Sequence, residues 1–342
     1  GFGYRGYDRQ NSSYNRNGIY KRELIINEKS IFSYKFDHLI FPDGKKINLL
    51  IDYEAYNIDK TRIKKLYQTL NSKFSFLENN ENYGIFKVVK DSTYSVKIIF
   101  EDVNKNKSIV SMVLKGAEME KSFDFSENKI AGKLYHTDIE YDKKFKNLNL
   151  NIPKNAFYES TNLNFEYKSD TLTIMKFTNA PKRGVNLEFL IPENLDSVNL
   201  RQTCIGKLNI EKKGKKSKIQ YVVGSKIDNV IYAKSLSGGR FFLTKDSISP
   251  SIKPINFRNE KWVTNLTTLK IRVDDDFSGV KKFCATINGR WILMEYEPKR
   301  KLLFFEFDDV KFVKNELNLS LYVEDMVGNA NKFQAIIFRK KS

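Results

Sequence analysis

Late in the sequence the chain reads Asp274-Asp275-Asp276-Phe277-Ser278-Gly279-Val280, then Ile287-Asn288-Gly289-Arg290-Trp291-Ile292, then Val323-Glu324-Asp325-Met326-Val327-Gly328-Asn329. A weaker copy of the same order opens the chain. Gly18-Ile19 and Ile26-Asn27 match Gly279-Val280 and Ile287-Asn288 at one constant offset (279 − 18 = 261). A repeated order of this kind predicts repeated domains.

The second half of the repeat has a different offset. Phe100-Glu101-Asp102 with Asn106 matches Val323-Glu324-Asp325 with Asn329 at a smaller separation (325 − 102 = 223). The first copy is therefore predicted to carry a longer insert between its two halves.

Alternation of apolar and polar residues predicts short antiparallel strands. Residues 94–100 alternate before a turn at 104–107, and residues 317–323 do so before a turn at Gly328-Asn329. The chain has 13% aromatic residues but only 7 Pro and 17 Gly, which favours well-filled β cores. Helix signals are few, one being Asp59 as the cap of a stretch containing Ile63 and Leu66. We therefore predict an all-β fold of tandem immunoglobulin-like antiparallel β-sandwich domains.

Two seams divide the chain into three predicted domains. Gly116-Ala117-Glu118-Met119-Glu120 follows the first repeat, and Ser249-Pro250-Ser251-Ile252-Lys253-Pro254 precedes the last. Proline cannot donate a ladder hydrogen bond, so we expect the second stretch to lead into a domain rather than to lie in a sheet. The prediction is an Ig-like β-sandwich over 1–116, a β-sandwich-like middle domain over 117–248 and a C-terminal Ig-like β-sandwich over 249–342.

The charge balance predicts a polyanionic partner. The formal net charge is +18, from 59 Lys and Arg against 41 Asp and Glu, which attracts anionic polymers and surfaces. The densest positive cluster is the candidate polyanion contact and comprises Lys212, Lys213, Lys215, Lys216 and Lys218. It lacks the interleaved aromatic residues of a nucleic-acid site, so no nucleic acid is predicted. No apolar run approaches the roughly 20 residues that cross a bilayer.

Few residues offer catalytic or metal chemistry. His38 and His136 are the only two histidines. On a strand His136, Asp138 and Glu140 would share a face and offer zinc three ligands, although alternating polar residues on a wet strand face are the usual alternative. Cys204 and Cys284 are far apart in sequence and are interpreted as buried small hydrophobic residues. We predict no catalytic, cofactor or metal residues in this chain.

The acidic run leaves one alternative open. Asp274-Asp275-Asp276 and Asp325 would hold calcium through their oxygens if they met at one end of the third domain. The alternative is that these residues, beside Ser278-Gly279 and Gly328-Asn329, bond their own backbone and stabilise turns.

Several motifs resemble a known family. Gly1-Phe2-Gly3-Tyr4-Arg5-Gly6-Tyr7-Asp8, followed by Asn17-Gly18-Ile19-Tyr20 and Ile47-Asn48-Leu49-Leu50-Ile51-Asp52-Tyr53, resembles the segment just after the catalytic domain in envelope peptidases of Bacteroidota, which are lysostaphin-type zinc endopeptidases. The last repeat looks like the immunoglobulin-like module that closes many of those proteins. The middle of the chain is similar only at Gly238-Gly239-Arg240-Phe241-Phe242.

The family's zinc ligands, a His-x3-Asp element and a later His-x-His, cannot be placed on this chain. Position 42, four after His38, is Pro42, and position 140 is Glu140. The resemblance thus implies a piece of a longer protein: the non-catalytic accessory region of a peptidoglycan metalloendopeptidase, with zinc in its catalytic domain. It implies a periplasmic or outer-membrane-associated place in the cell envelope, and peptidoglycan or another anionic envelope polymer and the protein's own catalytic domain as partners.

The sequence is compatible with two rival functions. One is a free-standing surface adhesin or glycan-binding protein with no enzyme domain. The other is an enzyme that uses His136 itself.

Overall fold

The computed structural model describes residues 1–9, 14–68, 74–118, 132–210 and 218–340. Strands dominate and helices are short, and the fold class predicted from the sequence is confirmed: the chain is all-β, built from antiparallel sheets in tandem. Buried side chains form three separate hydrophobic cores, drawn from residues 4–98, 135–241 and 257–337. No helix in the described ranges is long and apolar enough to cross a membrane. The predicted domain boundaries stay predictions.

The first core lies on one face of a single five-stranded sheet. The strands of this first part are β1 Gly3–Tyr4, β2 Asp8–Arg9, β3 Arg16–Asn17, β4 Lys21–Ile26, β5 Lys29–Lys35, β6 Lys64–Lys65, β7 Leu77–Asn80, β8 Thr93–Glu101 and β9 Lys107–Lys115. The sheet has the order β7-β5-β4-β8-β9 and is antiparallel throughout. Two-stranded pairs β1-β6 and β2-β3 complete this part.

Helices and loops cover the sheet where a second sheet was predicted. They include α1 Phe41–Lys46, the 3-10 turns Ile47–Leu50 and Glu81–Gly84, and α2 Tyr53–Asp59. The two-sheet sandwich predicted for 1–116 is therefore not what these residues form. The Asp59 cap prediction is also wrong, because no helix follows Asp59: α2 ends at this residue and has its cap at Asp52, which accepts from the Ala55 backbone N–H (3.0 Å), and Lys64–Lys65 form β6.

The second core lies between two five-stranded antiparallel sheets and forms a sandwich. One sheet has the order β11-β12-β16-β20-β19 and the other β14-β15-β21-β17-β18. Their strands, with the pair β10-β13, are β10 Lys133–Tyr135, β11 Tyr141–Lys144, β12 Leu148–Ile152, β13 Thr161–Leu163, β14 Phe165–Lys168, β15 Thr171–Ile174, β16 Val185–Leu190, β17 Thr203–Leu208, β18 Gln220–Val222, β19 Gly224–Ile227, β20 Val230–Ser235 and β21 Gly239–Lys245. Helix α3, Ser197–Gln202, leads into β17.

The third core also lies between two sheets, and their strand order is immunoglobulin-like. The strands are β22 Ser251–Pro254, β23 Lys261–Trp262, β24 Thr268–Asp274, β25 Val280–Ile287, β26 Arg290–Ile292, β27 Glu295–Glu297, β28 Leu302–Glu306, β29 Glu316–Asp325 and β30 Ala330–Phe338, with a 3-10 turn at Phe307–Asp309. The sheets β22-β24-β28-β27 and β23-β30-β29-β25-β26 correspond to strands ABED and A′GFCC′. Ser251–Pro254 is an edge strand, contrary to the linker prediction, because an edge tolerates the missing proline N–H.

The sequence repeat is visible as a repeat of one sheet. The order β5-β4-β8-β9 in the first part equals β26-β25-β29-β30 in the third. Asn27 exchanges two hydrogen bonds with the Ser95 backbone (2.8 and 2.9 Å), and Asn288 exchanges the same two with the backbone of Asn318 (2.9 and 2.7 Å). These pairs match at the two offsets found in the sequence, 261 and 223.

Without a facing second sheet, the last strand of the first copy stays exposed. On the face of β9 that pairs with the buried Val96 and Ile98, Met112 and Val110 are still 37% and 46% exposed. The corresponding strand β30 buries Ala335 and Ile337 against the opposite sheet. The first part is thus half of the sandwich seen in the third.

The two repeated hairpins share one turn geometry but differ in one residue. Asn27 and Glu28 have φ of 47° and 66°, and Asn288 and Gly289 have φ of 51° and 79°. Two consecutive positive φ values define a type I′ turn, whose second position favours glycine. The first copy places Glu28 where the third has Gly289.

We expect the substitution Glu28→Gly to stabilise the first part by about 0.5–1 kcal/mol, because it removes the strain of a left-handed non-glycine residue. Calorimetry of the full chain should show the melting temperature of the first part rise by about 2–8 °C, because a gain of about 1 kcal/mol shifts the melting temperature of a small domain by several degrees. The reciprocal change Gly289→Glu should lower the melting temperature of the third part. A lower melting temperature for Glu28→Gly would contradict the turn argument.

Side-chain hydrogen bonds join neighbouring parts of the chain at both junctions. Asn57 Nδ2 donates to the Phe177 carbonyl (2.9 Å), and Lys176 Nζ donates to the Asn57 carbonyl (2.8 Å). At the other junction Gln202 Nε2 donates to Asn329 Oδ1 (2.7 Å). The second part is therefore fixed to both of its neighbours.

Candidate functional site

The junction between the second and third parts brings three carboxylates together. Asp246 follows β21, Asp275 follows β24, and Asp325 ends β29. One oxygen of each lies within 4.8 Å of one oxygen of each of the others. Asp246 and Asp325 are almost fully buried, at 3% and 0% exposure. We call these three residues the junction carboxylates.

Turns of the third domain hold two of the junction carboxylates in place. Asp275 Oδ1 accepts from the backbone N–H groups of Phe277 (3.1 Å) and Gly279 (2.6 Å). Asp325 Oδ1 accepts from those of Val327 (3.0 Å) and Asn329 (2.8 Å). The turn-stabilising interpretation made from the sequence thus describes real contacts of both residues.

Asp246 comes from the preceding part of the chain and is held by contacts across the junction. Its Oδ2 accepts from the Ser278 backbone N–H (3.1 Å), and its carbonyl accepts from Asn329 Nδ2 (3.0 Å). Asn329 in turn accepts from Gln202 Nε2 (2.7 Å). The carboxylate cluster therefore exists only where the two parts meet.

Three buried polar atoms around the junction carboxylates have no hydrogen-bond partner. They are Asp275 Oδ2, Ser278 Oγ and Gln202 Oε1. Ser278 and Gln202 are each only 7% exposed. Of the eight such side-chain atoms found in the described residues, these three fall at one place. A buried unpaired polar atom costs about 1–3 kcal/mol, so three of them close together make this place unusual.

No cation of the described residues neutralises the junction carboxylates, although neighbouring acids are paired. Asp274 pairs with Lys301, and Glu324 pairs with Lys282 (2.8 Å). Within the same residues, no ion pair reaches any of the junction carboxylates. Burial raises the pKa of Asp275, and the negative charges of Asp246 and Asp325 add to the effect.

A groove of about 480 Å³ lies beside the junction. Arg201, Cys204, Tyr221 and Lys226 from the second part and Glu324 from the third contribute to its walls. Burial raises the pKa of the Cys204 thiol to about 12, which makes it a poor nucleophile.

The histidines lie away from this site and on the surface. The strand predicted to carry His136 ends at Tyr135, and His136, Asp138 and Glu140 lie in the loop before β11. His136 and His38 are both exposed. Over the described ranges the only group of three or more His, Cys, Asp or Glu side chains close enough to share a metal ion is the junction carboxylates.

The lysine cluster and the cysteines are placed only in part as predicted. Lys212, Lys213, Lys215 and Lys216 lie outside the described residues, and Lys218 Nζ donates to the Asp276 carbonyl (3.4 Å). Cys204 is buried as predicted. Cys284 is exposed, because it occupies an outward position of β25 while its neighbour Ala285 faces the core.

Sequence reasoning found Asp275 and Asp325 but not Asp246 or Gln202. The missed residues belong to the preceding part of the chain, before the predicted boundary at 248 and 249, and no motif marks them. The repeat does show that the first copy lacks one of the three acids: position 14, which matches Asp275 (275 − 261), is Tyr14. The cluster is therefore specific to the third copy.

Comparison with known proteins identifies no family. No family model matches the chain, and no curated protein matches it. Among solved structures, the N-terminal four Ig domains of Dscam1 isoform 1.9 are similar over 94% of this chain and 65% of that one, with 8% identity and a TM-score of 0.22. The chain thus spans less than two thirds of that structure. A TM-score this low supports no inference about function.

Proposed function

We propose that this chain is the non-catalytic accessory region of a cell-envelope peptidoglycan metalloendopeptidase. It would space and orient an enzyme domain against the wall, at the periplasmic or outer-membrane face of the envelope. The motifs around Gly1–Asp8 and in the last repeat support the family, and the excess of 18 positive charges supports an anionic wall polymer as the partner.

The observation that carries the spacer role is the pair of hydrogen-bonded junctions. Asn57 with Phe177 joins the first and second parts, and Gln202 with Asn329 and Asp246 joins the second and third. Domains joined only by a flexible linker move independently, whereas buried polar contacts across a junction hold a defined orientation. Such an arrangement suits a spacer better than a set of loosely tethered binding modules.

Co-sedimentation of the full chain with purified sacculi tests the electrostatic partner. We expect binding at least tenfold weaker in about 1 M salt than in about 0.1 M salt, because the screening length falls from about 10 Å to about 3 Å. Binding that does not change with salt would contradict the proposal.

Two variants of equal net charge distinguish the contribution of the lysine cluster to binding from that of the net charge. One changes Lys212, Lys213, Lys215, Lys216 and Lys218 to Gln. The other changes five exposed lysines on the same part of the chain, namely Lys143, Lys144, Lys146, Lys154 and Lys168. A local contact predicts that only the first variant loses binding, whereas equal losses would assign the attraction to net charge.

The same assay tests the non-catalytic role. We expect the chain alone to release no soluble fragments from sacculi. Fragment release that is lost in a His136→Ala variant would instead identify the chain as an enzyme.

A further inference from the structure

The junction carboxylates have the composition of a site for a hard cation. They offer three carboxylates, and the neighbouring unpaired Ser278 Oγ and Gln202 Oε1 are neutral oxygens. Calcium takes six to eight oxygen ligands, whereas zinc prefers nitrogen and sulfur. We propose that Asp246, Asp275 and Asp325 bind one Ca²⁺ ion at the junction between the second and third parts.

The spacing of the carboxylates fits a single ion. Two oxygens that both lie about 2.3–2.6 Å from one Ca²⁺ are at most about 5.2 Å apart. The three carboxylate oxygens lie within 4.8 Å of one another. These separations are therefore in the range that ligands of one ion can have.

The unpaired atoms supply an observation that is independent of the acidic cluster. The backbone N–H of Ser278 bonds Asp246, and the N–H groups on either side of it bond Asp275. The buried Ser278 hydroxyl is therefore held beside both carboxylates without a partner of its own. Gln202 reaches the same place through Asn329 and leaves its Oε1 free. A bound cation would satisfy these oxygens together with Asp275 Oδ2.

The ion would also explain why three clustered carboxylates, two of them almost fully buried, are tolerated. Several uncompensated carboxylates in one buried place are strongly unfavourable, and proteins normally pair them or bind metal. Because Asp246 belongs to one part of the chain and the other two carboxylates to the next, Ca²⁺ would fix the angle between these parts. Bound Ca²⁺ therefore makes the orientation of the third part relative to the second part rigid.

Isothermal titration of the full chain with CaCl₂ tests the proposal. We expect one site with a dissociation constant on the order of 0.1–1 mM, the range of extracellular calcium modules, and at least tenfold weaker binding of Mg²⁺. Asp246→Asn and Asp275→Asn should each weaken Ca²⁺ binding at least tenfold. The matched control Asp276→Asn, an exposed neighbour with the same charge change, should stay within twofold of the parent chain. Calorimetry verifies that each variant retains its third-domain transition.

Terbium provides a second readout that locates the ion. Tyr221 lines the groove beside the junction, and its ring is 6.1 Å from that of Phe277, two residues after Asp275. Tyrosine-excited Tb³⁺ emission should therefore appear on binding, fall in Tyr221→Phe and vanish in Asp246→Asn. The proposal is overturned if the parent chain binds no Ca²⁺ below about 10 mM, or if Asp276→Asn weakens binding as much as Asp246→Asn does.

Discussion

Replacing Asn329 by Ala should lower the free energy of unfolding of the third domain by about 3–4 kcal/mol. The Asn329 side chain accepts from Gln202 and donates to the Asp246 carbonyl and to Asp325 Oδ2 (2.7 Å), all within a buried junction. Each lost hydrogen bond costs about 1 kcal/mol, and each buried partner left without one costs about 1–3 kcal/mol. Calorimetry with EDTA present measures the effect without any contribution from bound ions.

The chain contains its own control for this prediction. Asn106 makes the same bonds to Asp102 that Asn329 makes to Asp325, from its backbone N–H (2.8 Å) and its side chain (2.7 Å), but it is exposed. Asn106→Ala should therefore cost less than about 1 kcal/mol. The two tryptophans, Trp262 and Trp291, lie in the third domain, so their fluorescence identifies its transition. Equal losses for the two variants would show that the turn, and not the junction, determines the stability.

Replacing Arg22 by Ala should destabilise the first part by about 3–5 kcal/mol. Arg22 is 1% exposed, and its guanidinium lies 4.8 Å from the ring centres of both Tyr34 and Phe36. Its Nε donates to the Tyr4 hydroxyl (2.5 Å). Truncation removes a desolvated cation–π contact worth about 2 kcal/mol or more and leaves a cavity of side-chain size. Urea unfolding of the full chain, followed by circular dichroism, measures the loss.

Two further variants separate the causes of that loss. Arg22→Met keeps most of the volume and removes a buried charge, so it should recover at least half of the lost stability. Arg16→Ala removes a cation–π contact with Tyr7 (4.6 Å) that is exposed, and it should cost less than about 1 kcal/mol. A loss below about 1 kcal/mol in Arg22→Ala would contradict the packing argument.

The repeat could be found from the sequence because its marker residues bond one another. Asn27 with Ser95 and Asn288 with Asn318 make the same contacts, and Asp102 with Asn106 repeats Asp325 with Asn329. Turn residues of this kind depend on local geometry, which the chain encodes within a few positions. The order of four strands follows from these contacts.

The cover of the first sheet could not be predicted in the same way. Strands such as β4 and β8 show the same period of two whether helices or a second sheet pack on them, because the pattern records only which face is buried. The smaller second offset, 223 against 261, marked the insert but not its structure. Likewise, Asp246 joins the junction carboxylates only through the docking of two domains, which no local pattern records.

The contrast between the two cysteines leaves this protein with a single accessible thiol. Cys204 is buried in the second part, and Cys284 is exposed on β25 of the third. A fluorophore coupled to the native protein at Cys284 would report on the third domain alone. Changes in distance across the second junction thus become measurable after introducing just one additional labelling position elsewhere.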